Sequence, residues 1–473
     1  MINILMINML EQFFNREKEL DFLERAYRSQ GFELIVVYGR RRVGKTFLMK
    51  KFLQGKRDAA YFYVPDASPA TIRSQLAEKI YEQLGIRMEY AATWAQIFTK
   101  LFRAAKQRRI VIVFDEFQRL LDIDRSAISE LQRAVDEESQ NSKLMIVCTG
   151  SSIGLMERMF HYGQPLYGRA TGILKIKPFN FSQAYRLLAA KIGANPVEAA
   201  ELYGLLGGTP YYLSLARSTS WLKEAERLLF NNTSPLYWEP ELLLKTELRE
   251  HATYFEILRL LAAGKNSFSE LAGSLGTSKT SLSYYLNVLI KDLDLVEREE
   301  PIGGGRPIYK IKDNYFKFWF RYVFPHMSAL EMGEASQALE HSKEDHKTYM
   351  GQIFQEIVKQ AAWHLKMPFK PARVGSWWKK GAEIDVVAVD ARGRQAALIE
   401  AKWRKLSLKQ AQKTLQQLEQ KAAALPYPVK HYGIAAITIE NPEKLRDQGY
   451  LAYQIQDIAS ADTDFDTINN ITR

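Results

Sequence analysis

Residues 39–46 read Gly-Arg-Arg-Arg-Val-Gly-Lys-Thr, and they stand between the apolar, β-branched run "ELIVVY" (33–38) and a helical pattern, "FLMKKFL" (47–53). The run predicts a buried strand. A GxxxxGK[ST] loop between a strand and a helix demands a sheet whose strand end faces a helix start. Its glycines let the loop wrap so that backbone N–H groups point inward at phosphate oxygens. The helix start adds partial positive charge. The spacing therefore predicts that Gly39, Arg42, Val43, Gly44, Lys45 and Thr46 hold ATP. Lys45 would reach the β- and γ-phosphates, and Thr46 Oγ1 would ligate Mg²⁺. The side chains of Arg40, Arg41 and Arg42 read more readily as a solvated loop face than as a second phosphate clamp.

A magnesium partner is expected on a neighbouring strand, and "RRIVIVFDEFQRL" (108–120) supplies it. Asp115 would hold Mg²⁺ mostly through water. Glu116 is placed to polarise the attacking water, so hydrolysis is expected as well as binding. The intervening segment (54–107) contains a further strand, "AAYFYV", which points to the additional-strand class of P-loop ATPases. "LMIVCTGSSIGLM" (144–156) is the next strand. Its Gly150-Ser151-Ser152-Ile153-Gly154 matches the nucleophile-elbow pattern. That strand is already accounted for by the phosphate-loop sheet, and no downstream acid–His pair stands out. Thr149 or Ser151 is instead expected to sense the γ-phosphate. Arg169, in "YGRATG", reads equally as an arginine finger or a surface arginine.

"FFNREKEL" (13–20), "YGRRRVGKT" (38–46), "VFDEFQ" (113–118), "CTGSS" (148–152) and "GGTPYYL" (207–213) follow one another in order. Together they resemble the archaeal and bacterial DEXX-box ATPases, of the AAA+-related, STAND-like branch. The resemblance covers roughly the first half of the chain. It implies that Asn15 and Arg16 lie by the nucleotide base and that Gly207, Gly208 and Pro210 sit in a helical lid. It also implies a capacity to self-associate.

At 473 residues the chain is too long for one core, so three or four domains are expected. The formal charge of +11 favours an anionic partner, of which nucleic acid is the usual one, or else a generic basic surface. A single cysteine, Cys148, excludes a disulfide framework and a Cys-rich zinc site, and suits a reducing compartment. The opening "MINILMINML" is too short to span a membrane and lacks a leader's basic start and cleavage site. A cytoplasmic protein with no membrane partner is expected.

Residues 254–310 read as three helices followed by strands on either side of Gly303-Gly304-Gly305, the pattern of a winged helix. In that arrangement the start of the second motif helix enters the major groove. Lys279, Thr280, Ser283 and Tyr284 would face DNA, with Arg306 on the wing at the backbone or minor groove. The alternative is a winged helix used for packing. Residues 326–346 are polar and charged, a linker or exposed helix.

"KTYMGQIFQEIVKQAAWHL" is an amphipathic helix, followed by three strands, "RVGSWW", "AEIDVVAVD" and "RQAALIEAKW". Strand side chains alternate, so Glu400 and Lys402 share a face. A hairpin pivoting between Arg392 and Gly393 sets Asp385 opposite Glu400. Two carboxylates that close repel unless a cation lies between them. Asp385 and Glu400 are thus expected to bind Mg²⁺, with Lys402 orienting water or stabilising charge on phosphorus. Residues 385–402 resemble the D…ExK half-motif of the restriction-endonuclease-like fold, and "GSWWKKGAEIDVVA" resembles the C-terminal domain that accompanies these ATPases. The resemblance implies catalytic roles for Asp385, Glu400 and Lys402. One departure stands out: where the family has glutamate after the phenylalanine of its first helix, this chain has Gln355, then Glu356. Adjacent helical residues point about 100° apart.

The expected class is α/β: a P-loop ATPase core (11–177), a helical lid (178–245), a winged helix (246–325), a linker (326–346) and a restriction-endonuclease-like domain (347–473). Two functions follow: an ATP-hydrolysing protein that acts on DNA and cuts it, or an ATP-dependent switch whose last domain binds without cutting.

Overall fold

The computed structural model describes residues 14–461 except 90, 249, 380 and 424. The opening "MINILMINML" and the end of the last predicted domain lie outside the described residues. The chain forms two compact units: the segment through Lys177 with Lys291–Leu293, and Pro178–Ile290 with the segment from Asp294.

The first unit is built on five parallel strands: β1 (Glu33–Tyr38), β2 (Ala59–Tyr63), β3 (Ile110–Asp115), β4 (Leu144–Gly150) and β5 (Gly172–Lys175), in the order β2-β3-β4-β1-β5. Alternate residues feed two cores. Leu34, Val36, Ile112 and Ile146 enter one; Ile35, Val37, Val113 and Val147 enter the other. A parallel sheet covered on both faces needs such continuous apolar strands. Spatial order corrects one expectation. The strand between the phosphate-loop strand β1 and the acidic strand β3 is β4, whereas "AAYFY" (β2) is at the sheet edge. Chain order alone does not reveal that insertion.

The second unit opens with helices, among them Phe181–Ile192, Pro196–Leu206 and Pro210–Ser214. The Gly207-Gly208 pair precedes the last of these, Pro210 takes its first position, and Gly208 O accepts from Phe179 N at 2.7 Å. Three helices follow: His251–Ala262, Phe268–Leu275 and Lys279–Asn287. Ser267 and Ser278 cap the second and third. An antiparallel hairpin, β6 (Val296–Glu299) and β7 (Ile308–Ile311), comes next.

Residues 326–346, read from the sequence as a linker or exposed helix, are largely helical. Met327–Glu331 is helical, and Ser336–Ala361 is one 26-residue helix that continues into the expected amphipathic helix. Its polar first half is tied down: Ala338 and Ser342 are buried, and Asp345 accepts from Tyr322 at 2.6 Å and pairs with Arg321 at 2.5 Å. Tertiary partners override a weak apolar pattern here.

The last sheet is mixed, in the order β12-β11-β10-β9-β8. Its strands are β8 (Arg373–Lys379), β9 (Ala382–Val389), β10 (Gln395–Leu406), β11 (Val429–Ile439) and β12 (Leu451–Gln454), with helix Leu408–Ala422 between β10 and β11. Strands β8, β9 and β10 are antiparallel neighbours; β10, β11 and β12 run parallel. Ile302, from the tip of the β6–β7 hairpin, joins this sheet's core with Trp377, Ile384 and Val387, and its N–H donates to Ser376 O at 2.8 Å. The segments separated in the sequence as lid, winged helix and terminal domain thus belong to one unit. No helix among the described residues is long and apolar enough to cross a membrane.

Candidate functional site

The phosphate loop leaves β1 at Gly39 and enters helix Lys45–Leu53 through Gly44. A Cβ at Gly39 would lie 2.2 Å from Ile176 O, so a side chain does not fit there. Gly44 caps the helix at φ 96°, a conformation that L side chains rarely adopt. Lys45 is buried, and its Nζ donates to the carbonyls of Gly39 at 2.7 Å and Arg40 at 2.9 Å, so the ammonium lies across the loop. Val43 is buried beneath it. Arg41 and Arg42 are exposed, as expected of a solvated face; Arg40 is buried, which corrects that reading for one of the three.

Asp115 ends β3, buried, beside the loop. Thr46 Oγ1 donates to its Oδ2 at 3.1 Å, and Tyr61 also donates to Oδ2. Thr149 donates to Oδ1, which also accepts from Glu116 N at 3.1 Å. The carboxylate is aimed by three hydroxyls and stands beside the threonine expected to share its metal. Hard oxygen donors from Thr46 and Asp115 on one side of the loop fit Mg²⁺. Glu116 has φ 57°, a left-handed backbone that a non-glycine residue adopts at a cost of order 1 kcal/mol. Its carboxylate accepts from Ser151 Oγ at 2.8 Å and from Gln118 Nε2. Ser151 therefore orients Glu116, and Thr149 orients Asp115. Neither hydroxyl stands as a nucleophile. Glu116→Gln is expected to keep nucleotide binding and lower ATP turnover by about 10²–10³-fold, because the amide cannot take a proton from water. Single-turnover assays with bound ATP measure both.

The structure gives partners to two further arginines singled out by the sequence. Arg16 is buried and bonds to Glu19 at 2.8 Å, Val43 O at 3.2 Å and Lys177 O at 2.6 Å. It clamps the phosphate loop's backbone from behind, which is a positioning role. Asn15 beside it is buried with φ 56°. Arg169 forms a two-bond pair with Asp136, both at 2.7 Å, and donates to Pro165 O and Tyr167 O. None of these contacts is with the phosphate loop. Tyr61 and Gln118 were missed. Tyr61 lies in a run that reads only as an apolar strand, and Gln118 is two residues past Glu116, where sequence marks only a helix start.

The second site lies in the second unit, on the face of β9 and β10. The antiparallel register runs to Ile399 opposite Val386, which sets Glu400 opposite Asp385. There the ladder opens: Asp385 Oδ2 accepts from Ala401 N at 2.8 Å. Both carboxylates are buried. Lys402 Nζ lies 2.6 Å from Glu400 Oε2 and 3.5 Å from Asp385 Oδ2. Lys421, from the helix after β10, reaches Glu400 Oε1 at 2.9 Å. Burial and the nearby Glu400 charge push Asp385 up to about 6. At Glu400, burial is outweighed by Lys402 and Lys421, which hold it below the usual range. Two buried carboxylates with one still short of a counter-charge suit a hard divalent cation.

Gln355 takes part after all: its Nε2 donates to Asp385 Oδ1 at 2.8 Å. Glu356 turns away and meets Lys359 at 2.8 Å and Lys310 at 3.7 Å. Lys421 was missed because a lysine near the end of an amphipathic helix reads as solvated.

Lys279, Thr280, Ser283 and Tyr284 are exposed along helix Lys279–Asn287. Arg306 is exposed on the hairpin, but its carbonyl accepts from Trp378 Nε1 at 3.3 Å, so the hairpin also packs on β8.

Residues 13–216 match a family model described as an ATPase domain predominantly from Archaea. Residues 319–414 match one described as Archaea bacterial proteins of unknown function. The chain is 34% identical over 446 residues to an uncharacterized protein of Methanocaldococcus jannaschii, covering 91% of this chain and 97% of the relative. A second relative from that organism, an uncharacterized ATP-binding protein, is 58% identical over 45 residues, 10% of this chain and 76% of the relative. Among solved structures the chain is similar to a Walker-type ATPase of Pyrococcus abyssi, with TM-score 0.52 and 23% identity over 66% of this chain and 97% of that one. That likeness concerns the fold.

Proposed function

This chain belongs to the family of the uncharacterized Methanocaldococcus jannaschii protein, with residues 13–216 matching an ATPase domain predominantly from Archaea, and we propose that it hydrolyses ATP in its first unit and acts on DNA through its second. Asp385, Glu400 and Lys402 form a phosphodiester-cleaving site of the restriction-endonuclease type. The observation that carries the reading is their convergence at the point where β9 and β10 part, with Lys402 Nζ 2.6 Å from Glu400 and 3.5 Å from Asp385.

In the first unit the loop amides and Lys45 bind the phosphates, and Glu116, aimed by Ser151 and Gln118, takes the proton of the attacking water. Thr46 and Asp115 would hold Mg²⁺; Asp385 and Glu400 would hold a divalent cation, which lowers the pKa of bound water and neutralises charge on phosphorus. Lys402 stabilises the charge that develops on the phosphate oxygens. Helix Lys279–Asn287 belongs to a winged helix in this reading, and its exposed Lys279, Thr280, Ser283 and Tyr284 meet DNA. The +11 charge supports an anionic partner.

A second reading has its own observation. Lys402 and Lys421 occupy both oxygens of Glu400, and Gln355 replaces a carboxylate beside Asp385. A site neutralised from within would suit a switch that binds DNA without cutting it.

Binding of a labelled duplex, followed by anisotropy across salt concentrations, tests the DNA reading. Affinity is expected to fall steeply with salt, and Lys279→Ala to reduce the logarithmic salt slope by about one. A duplex that fails to bind at low salt, or binding unmoved by salt, removes DNA as the partner.

A further inference from the structure

A cavity of about 1000 Å³ lies within the second unit. One wall is the end of helix His251–Ala262 and strand β7; the other is helix Ser336–Ala361 with Trp378 and Glu383 of the last sheet. Gln355 lines it while donating to Asp385. Glu383 lines it two residues before Asp385 on β9. The cavity therefore adjoins the Asp385–Glu400–Lys402 site.

We propose that this cleft seats a single strand of nucleic acid and leads it to the carboxylate site. The proposal rests on the nuclease-like reading above and names its substrate as a strand end, flap or unpaired segment. The cleft's chemistry matches a strand's two components. Trp378, half-buried on β8, offers a ring on which a base stacks. Lys317 offers an ammonium group for a phosphate, whereas Lys310 already pairs with Glu299 at 2.6 Å.

Lys317 carries the most weight. It faces the cavity and makes no ion pair among the described residues. Burial holds its ammonium below the ordinary lysine range, although Glu356 and Glu297 pull it up. A phosphate in the cleft would give it a direct ion pair beyond the pull of those two carboxylates. Of the two carboxylates that face the cavity, Glu356 is already neutralised by Lys359 at 2.8 Å, and Glu383 is exposed to solvent.

The test uses the full chain in a chelator, so that no cleavage is needed. A short fluorescein-labelled single-stranded DNA carrying 4-thiothymidine is titrated, then photo-crosslinked and mapped by peptide mass spectrometry. An RNA strand of the same sequence is run beside it. Crosslinks are expected in 308–311 or at Trp378. Lys317→Gln and Trp378→Ala are each expected to weaken binding about tenfold, with Trp378→Phe recovering most of it. Crosslinks confined to helix Lys279–Asn287 or to the first unit overturn the proposal. So does unchanged affinity in both variants, provided their melting curves match the wild type. A strand held in the cleft but never cut when metal is restored leaves the proposal standing and sinks the cleavage reading. Duplex cutting with no strand in the cleft does the reverse.

Discussion

An alanine at position 45 is expected to leave this protein without measurable ATP turnover. Lys45 Nζ lies across the mouth of the loop, held by two of the loop's own carbonyls at 2.7 and 2.9 Å. A triphosphate offers that buried ammonium stronger, charged acceptors at the β- and γ-oxygens. Hydrogen bonds to charged groups contribute about 1.5–3 kcal/mol each, so removing the ammonium costs roughly 10–150-fold in affinity. Its loss from the transition state, where charge builds on the γ-phosphoryl oxygens, costs about a further 10²–10³-fold in rate. The substitution also leaves the Gly39 and Arg40 carbonyls without their donor, so a melting curve must accompany the assay. Phosphate release within about threefold of wild type would show that the ammonium does not meet the nucleotide.

The second large effect is expected at the carboxylate site. Glu400→Gln and Lys402→Ala should each lower DNA cleavage by at least about 10³-fold, since one removes a charged metal ligand and the other the cation facing the phosphate. The two differ in what they leave behind. Glu400→Gln keeps the side chain's shape and frees Lys402 and Lys421 from their shared carboxylate. It should therefore retain DNA binding while losing cleavage. Lys402→Ala leaves Glu400 with Lys421 as its remaining cation, and metal affinity should rise as a competitor is lost. Titration with Mn²⁺ reads that change independently of cleavage. Equal metal affinity in wild type and Lys402→Ala would mean that Lys402 does not compete for the carboxylates.

Much of this was legible in the sequence because the chemistry is local. The phosphate loop, Asp115-Glu116 and the 385–402 hairpin are each a strand end plus a turn, where spacing alone fixes which side chains share a face. The Asp385–Glu400 register follows from counting back from Arg392–Gly393, and the strands pair that way as far as Ile399 and Val386. What escaped depended on distant parts of the chain. The bonds of Arg16 to Val43 O and Lys177 O cannot be read from its place in the sequence. Tyr61, Gln118 and Lys421 gain their roles only once sheet order and helix packing bring them to a carboxylate. The run 326–346 looks like a linker because its partners, Arg321 and Tyr322 on Asp345, are polar and leave no apolar period. Gln355 was visible as a departure, but its bond to Asp385 needed the fold.

The central claim is that one chain joins an ATPase to a site that cuts DNA. Its most direct test is a time course of the purified wild-type protein with supercoiled plasmid and linear DNA carrying single-stranded ends, in Mn²⁺ or Mg²⁺, with and without ATP. The expected result is new 5′ or 3′ ends that accumulate with metal and are absent from a parallel Glu400→Gln reaction. DNA that is bound yet intact under every metal and nucleotide condition, or equal cutting by Glu400→Gln, would contradict it.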